Sequence, residues 1–394
     1  MKPGILSGVP AFPRPILHVQ STLPDLSEIA EPLRAALDNR CLTNHGPFVR
    51  RLEERLEEYL GVHCVCVASG TTALQLAAGC LLGPGARALV PAYTFPATVQ
   101  AFAVQGGRAV LADVDEGSWC LAPEALAPDV LGGVDCVVPV NVYGTPPRAE
   151  ELEALAAASG CRVIYDSAHG LGSERRGRKV GGFGDAEAVS LHATKLVACG
   201  EGGLIATRDE SLAREARQRL NFGLGEDRVV RSPGGINGKM AEIPAILGLW
   251  GMDRLESWIG HRAGLAGLYR ERLGGVPGLG FQRTDPGDRS NHVNFAVRVS
   301  ERFGLSRDGL LAALAADNVL GRAMLSPDLS AHPGLRDAVS PGRRPRTAEA
   351  VAGSVLCLPI SSHQEEDEVS RICDCICRIH EAAGRIREKI GERP

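Results

Sequence analysis

Lys195 ends the run Ser190-Leu191-His192-Ala193-Thr194-Lys195, and Cys199-Gly200-Glu201-Gly202-Gly203 follows. Residues 187–191 read as a buried strand that stops just short of the lysine. A lysine at a strand end, beside small residues and a glycine-rich turn, is poorly explained by packing. Chemistry explains it better: a desolvated amine has a lowered pKa and forms a Schiff base with an aldehyde. Upstream, Cys161-Arg162-Val163-Ile164-Tyr165-Asp166 is an apolar run that ends in a carboxylate. A lysine for an aldehyde and an acid for a pyridine nitrogen together predict a site for pyridoxal 5'-phosphate (PLP).

Three further runs bear on that site. Ala68-Ser69-Gly70-Thr71-Thr72-Ala73-Leu74 falls where a strand becomes a helix. Helix-start amides and hydroxyls bind anions, although on its own the run reads as an ordinary N-cap. Pro91-Ala92-Tyr93-Thr94-Phe95-Pro96-Ala97-Thr98 places two aromatics where a planar ring stacks, in a chain that is only 4% aromatic. A packed loop explains that run equally well. In Asp166-Ser167-Ala168-His169-Gly170 the buried carboxylate needs a partner. His169 is a candidate to hold either the carboxylate or a ring hydroxyl; alone, it reads as a structural histidine. Ser190 is placed to bind a phosphate oxygen while Lys195 reaches the aldehyde. The runs occur in order at successive strand ends, where α/β sheets bind ligands. That joint occurrence outweighs each plain reading.

The elements that must position these residues follow from the hydrophobic rhythm. Residues 1–40 are proline-rich and then helical from about 26 to 39, an arm that lies on another part of the protein. Residues 47–60 form an amphipathic helix with Phe48, Leu52, Leu56 and Leu60 on one stripe, ended by Gly61. Strands are expected at 62–68, 87–91, 109–113, 134–140, 161–166, 187–191 and 203–207. Helices at 71–82, 97–105 and 148–159 fall between them. This alternation predicts an α/β fold with a mostly parallel sheet flanked by helices. Residues 241–273 read as one long helix. A smaller C-terminal αβ domain follows, with a strand at 293–299 and helices at 306–317 and 365–389. The expected divisions are an arm (1–40), a large PLP-binding domain (41–260) and a small C-terminal domain (261–394).

Bulk composition excludes other classes. The 394 residues are 44% hydrophobic and 23% charged, with a net charge of −4, so neither nucleic acid nor a membrane surface is an expected partner. No apolar run approaches the ~20 residues of a membrane helix. The first ten residues hold no apolar stretch of signal-peptide length. Most of the twelve cysteines fall in apolar runs, which suits reduced thiols in a cytoplasmic setting. Cys373-Asp374-Cys375-Ile376-Cys377 lacks the spacing of a zinc site, and no metal is expected. No G-x-G-x-x-G follows the first strand, which speaks against a nicotinamide dehydrogenase.

On these residues the chain resembles the DegT/DnrJ/EryC1/StrS family, sugar aminotransferases of the aspartate-aminotransferase-like (type I) PLP fold. The matching runs are Ser69-Gly70-Thr71, Pro91 with Thr94-Phe95 and Ala97-Thr98, Val142-Tyr143-Gly144, and Asp166 through Gly172. Gly181 with Gly184-Asp185, Ser190 through Lys195, and Gly200-Glu201-Gly202-Gly203 also match. Asn237-Gly238-Lys239-Met240-Ala241-Glu242-Ile243 resembles a segment whose asparagine reaches the neighbouring subunit's phosphate. The likeness is strong over residues 25–260. It is thinner beyond, where His292-Val293-Asn294-Phe295 and Leu358-Pro359-Ile360 match best.

The resemblance implies that Lys195 carries PLP as an internal aldimine and then shuttles protons. It implies that Asp166 pairs with the pyridine nitrogen, Phe95 stacks on the ring, and His169 lies beside the ring or its aspartate. Gly70, Thr71 and Ser190 would bind the phosphate, with Asn237 from the partner of an obligate homodimer. The implied reaction takes an amino group from L-glutamate or L-glutamine. It delivers the group to a keto-sugar nucleotide, or to a related keto-cyclitol or natural-product ketone. A PLP-dependent sugar dehydratase is an alternative, but that branch carries histidine in place of Lys195. A PLP-binding scaffold or regulator without turnover is another. The chain departs from the family pattern at Asn141, usually histidine, and at Lys239, usually arginine. It also departs in the substrate segment Arg322-Ala323-Met324-Leu325-Ser326-Pro327-Asp328-Leu329.

Overall fold

The computed structural model describes residues 2–340 and 342–392; Met1, Pro341, Arg393 and Pro394 lie outside the described residues. An eight-stranded sheet organises the larger part. In spatial order its strands are Val339–Ser340, Arg108–Ala112, Arg87–Pro91, Cys136–Val137, Arg162–Asp166, Ala186–Ser190, Gly203–Thr207 and His63–Val67. Neighbours are parallel, except that Gly203–Thr207 is antiparallel to both of its neighbours. Every residue of Ala186–Ser190 and of Gly203–Thr207 is buried, as in a sheet covered on both faces. Helices Gly70–Leu81, Ala97–Ala103 and Glu210–Arg219 close one face around Val65, Val90, Ile164 and Ile205. Helices Pro47–Leu60, Ala149–Ala158 and Glu242–Met252 close the other around Cys66, Val163, Tyr165 and Val189. The expected α/β class with a mostly parallel sheet is present.

A second, antiparallel sheet joins Leu279–Phe281, Phe295–Val299 and Val355–Leu358. Tyr269 stacks on Phe295 beneath it, with ring centroids 4.7 Å apart. The N-terminal arm lies on this part. Ile16–Leu17 pairs with Val319–Leu320, and the Gly4 and Ala11 amides both donate to Asp317 Oδ1, at 2.9 and 3.0 Å. Residues beyond 260 are not confined to the small sheet, because Val339–Ser340 pairs with Ala109 and Val110 at the edge of the large one.

Several elements differ from expectation. The long helix is two, Glu242–Met252 and Leu255–Leu273, which pack on different partners: the first on Pro47–Leu60, the second on Glu366–Glu381. The strand expected at 134–140 pairs fully only at Cys136–Val137. Pro139 has no N–H to donate to a ladder, and pairing resumes as a single bridge between Val140 and Asp166. The C-terminal helix breaks at Ala382 into Glu366–Glu381 and Ala383–Ile390. Helix Glu210–Arg219 was not anticipated. Asp209 caps it by accepting the Ser211 amide at 2.8 Å.

Candidate active site

Strands His63–Val67, Arg87–Pro91, Arg162–Asp166 and Ala186–Ser190 run in one direction, so their carboxyl ends share an edge of the sheet. Residues 68–71, the loop 92–96, Asp166 and Ser190 all lie along that edge. Ligands of open α/β sheets bind there.

Asp166 is buried on this edge, 4% exposed. Its Oδ2 accepts the Thr98 hydroxyl at 2.7 Å and its Oδ1 accepts the Ala168 amide at 3.1 Å. Burial pushes its carboxyl up. The Thr98 and Ala168 hydrogen bonds and the Lys195 charge pull the other way. Neither carboxylate bond comes from His169, contrary to one of the two roles open to that residue. His169 Nδ1 instead accepts the Tyr143 amide at 3.3 Å, and the His169 ring lies parallel to the Tyr143 ring at 6.0 Å. That bond leaves the ring proton of neutral His169 on Nε2. Burial, reinforced by Lys195, holds His169 well below the usual histidine range. Tyr143 adopts φ 55°, an uncommon value for a bulky residue. Its buried hydroxyl is fastened to the Tyr93 hydroxyl at 2.8 Å.

Lys195 sits on a tight turn after its strand. Its amide donates to His192 O at 2.8 Å, and the Ala193 amide donates to Gly200 O at 2.8 Å. The arm touches this turn as well, where the Ser21 hydroxyl donates to Ala193 O at 2.5 Å. Burial lowers the Lys195 amine from 10.5 to about 8, partly offset by Asp166. Lys195, Ser190 and His169 line one small cavity with Asn291 and Val293. Asn291 braces it by donating to His169 O and Leu171 O, both at 2.8 Å.

Gly70 begins the helix Gly70–Leu81, capped by Ser69, which accepts the Thr72 amide at 3.1 Å. A Cβ on Gly70 would lie 2.9 Å from Ser190 Cβ, and a Cβ on Gly203 would lie 2.6 Å from the Gly70 amide nitrogen. Both glycines let the helix start sit directly against the strand end. Thr71 is the next residue on that helix. Phe95 and Asn237 are not drawn into the cavity. Phe95 is 61% exposed just before helix Ala97–Ala103. Asn237 is exposed on a segment whose Gly238 carbonyl accepts the Ala68 amide at 2.7 Å.

The departures from the family pattern also have places. Asn141 is buried and donates to Ser167 Oγ at 2.7 Å, while its Oδ1 has no partner. Lys239 donates to Asn221 Oδ1 at 2.9 Å and lies over the Phe222 ring. The 322–329 segment reaches the site edge through the Leu329 amide, which donates to Ala92 O at 2.9 Å. Sequence reasoning missed Thr98, Asn291 and Ser21. Thr98 had a visible signal, a threonine four residues after Thr94 at a helix start; Asn291 and Ser21 become visible only through long-range contacts.

These residues fit PLP. A carboxylate has about four acceptor positions, and the protein fills two on Asp166, leaving room for a ring N–H. The Gly70–Ser190 approach forms a cradle that a Cβ would fill, at the start of a twelve-residue helix. The Lys195 amine is desolvated as Schiff-base chemistry requires. Fold and site together define a PLP-dependent transferase of the type I class.

The profile of the DegT/DnrJ/EryC1/StrS aminotransferase family matches residues 25–377. The chain belongs to that family and is a PLP-dependent aminotransferase. It is 32% identical over 360 residues to a dTDP-4-amino-4,6-dideoxy-D-glucose transaminase of Escherichia coli, covering 90% of this chain and 95% of that protein. It is 31% identical over 363 residues to a dTDP-3-amino-3,4,6-trideoxy-alpha-D-glucose transaminase of Streptomyces venezuelae, covering 89% and 94%. Its fold is similar to the crystal structure of DesI in the presence of its TDP-sugar product, with TM-score 0.90, 33% identity, and coverage of 99% and 98%. Among the described residues, no helix is long and apolar enough to cross a membrane.

Proposed function

We propose that this aminotransferase moves an amino group from L-glutamate or L-glutamine to a keto-sugar carried on a nucleotide. The observation that carries the chemistry is a desolvated Lys195 amine and a buried Asp166 carboxylate that act on each other electrostatically, placed after neighbouring strands of one sheet. The relatives named for dTDP-sugar transamination support the acceptor class. A cavity of about 520 Å³ beside the Asn237 segment is lined by Arg228 and Lys239, and by Arg217 and His45, which are both paired with Glu53. Arg228 and Lys239 there suit a diphosphate.

The chemistry gained with PLP is an electrophilic aldehyde and an electron-accepting ring. Lys195 Nζ would be the covalent attachment point, and its free amine would be the base that takes the donor's α-proton and the acid that returns a proton to the acceptor carbon. The negative charge of Asp166 would keep a proton on the ring nitrogen. The helix-start amides of Gly70 and Thr71, with the Ser190 hydroxyl, would hold the phosphate. Phe95 would cover one face of the ring, and neutral His169, whose Nδ1 accepts the Tyr143 amide, would offer its Nε2–H. Asn237 of a second copy of the chain would complete the phosphate site in a homodimer. The apolar residues Phe222, Val229, Val230 and Ile243, 43–62% exposed in and beside this segment, support an interface there. The free, mostly buried cysteines suit a reducing cytoplasm.

Borohydride reduction of the PLP-treated protein, followed by peptide mapping, tests the attachment. The label is expected on Lys195. A protein that takes up no PLP, or carries the label on another lysine, contradicts the assignment.

A further inference from the structure

Asp166 is served by a hydroxyl chain that its role as a ring-nitrogen partner does not itself require. Thr98 Oγ1 donates to Asp166 Oδ2 at 2.7 Å, which uses its only proton. Its 3.0 Å contact with Thr94 Oγ1 must therefore run from Thr94 to Thr98. Thr94 and Thr98 are both buried, 2% and 0% exposed. The two stand one helical turn apart where the loop after Arg87–Pro91 enters Ala97–Ala103. Hydrogen bonds from a hydroxyl to an ionised carboxylate are short and strong, more so in a buried setting. A valine at position 98 would fill the same volume, so packing alone does not call for the hydroxyl.

We propose that Thr98, backed by Thr94, is a positioning residue that keeps the Asp166 carboxylate ionised and aimed, so that the shared proton stays on the cofactor's ring nitrogen. It rests on the PLP reading above. The chain Thr94 O–H to Thr98 O–H to Asp166 stabilises negative charge on Oδ2. Without it, the buried carboxylate retains only the Ala168 amide as a hydrogen-bond donor and becomes more basic. The proton then shifts from ring nitrogen toward carboxylate, and the ring loses pull on the donor's electrons. The other charged group acting on Asp166 is Lys195, which also acts on His169. Neither replaces the hydroxyl, since neither bonds to Asp166 in the structure.

The test uses full-length protein reconstituted with PLP labelled with ¹⁵N in the ring. The ring-nitrogen chemical shift reports protonation directly, independent of turnover. Wild type is measured first; failure of wild type to take up PLP or to deaminate a donor counts against the functional reading, not against Thr98. In Thr98→Val the nitrogen is expected to move toward the neutral position. Single-turnover donor deamination is expected to fall about tenfold or more, with PLP affinity little changed. Thr98→Ser, which keeps the hydroxyl, should restore both. Thr94→Val should move the nitrogen in the same direction by less. An unchanged nitrogen shift in folded Thr98→Val overturns the proposal. If Thr98→Val does not fold, an unchanged shift in Thr94→Val overturns it, as does a Thr98→Ser protein with a neutral ring nitrogen.

Discussion

Replacing Lys195 with methionine should stabilise the PLP-free protein at neutral pH. Burial lowers the amine from 10.5 to about 8, so the folded state holds its proton less tightly than the unfolded chain. Between those two values the unfolded state binds more protons, and stability therefore rises with pH across the window. Below pH 8 the cost of enclosing the ammonium is fully present, and above 10.5 it is gone. At about 1.4 kcal/mol per pH unit, the drop corresponds to about 3 kcal/mol. The attraction of Asp166 is already contained in the value of about 8. Methionine keeps the length of the side chain and carries no charge, so it removes the titrating part. Urea unfolding of wild type and Lys195→Met from pH 7 to 10.5, both without PLP, measures the difference. The variant should be more stable by roughly 3 kcal/mol at pH 7, by about half that near pH 9.5, and by little of it at the top of the range. Added apolar burial contributes an offset that does not vary with pH, so the slope is the diagnostic quantity. A stability difference flat across pH would refute a desolvated Lys195 amine.

Asp166→Asn should still bind PLP, because its shape and one hydrogen-bond acceptor survive. Its donor deamination should slow a hundredfold or more in single-turnover absorbance measurements, since the charge that protonates the ring nitrogen is lost. Gly70→Ala places a Cβ 2.9 Å from Ser190 Cβ. A destabilisation of about 1–3 kcal/mol is expected, with weaker PLP binding, both readable from thermal melts with and without PLP. Mixing Lys195→Ala subunits with Asn237→Ala subunits should restore activity to heterodimers, which carry one intact site. Heterodimers that form without regaining activity would count against a shared site.

Much of the site was legible because it is local in sequence. Asp166 and Ser190 end their apolar strands, Lys195 follows in the next turn, and Ser69 caps the helix that Gly70 begins. Parallel strands place such ends on one edge, so the periodicity carried the geometry with it. The glycines at 202 and 203 were visible as a turn, but the reason for Gly203, the passage of the Gly70 backbone, was not. Contacts between distant segments left no local mark. The two-residue strand Val339–Ser340 has no periodicity to detect, and Asn291 reaches His169 and Leu171 from beyond helix Leu255–Leu273. Helix Glu210–Arg219 was obscured by charge, with Leu212, Ala213 and Ala216 as its only buried positions. Asp253 and Arg254, between the two helices of 241–273, are not breaker residues, and the helices pack on different partners. Nearness in sequence left Asp166 open as a partner of His169 and said nothing of the positive-φ Tyr143, whose amide takes the His169 Nδ1.

Transfer of labelled nitrogen tests the central claim most directly. The purified enzyme with PLP would be given ¹⁵N-labelled L-glutamate, or amine-labelled L-glutamine, together with a dTDP-4-keto-6-deoxy sugar. Mass spectrometry would follow the sugar nucleotide. The predicted result is a dTDP-amino sugar carrying one ¹⁵N, formed with an equal amount of the donor's keto acid, and absent with Lys195→Ala. Loss of oxygen from the sugar without gain of nitrogen would indicate a dehydratase instead. Absence of keto acid from any donor, with PLP demonstrably bound, would contradict an aminotransferase.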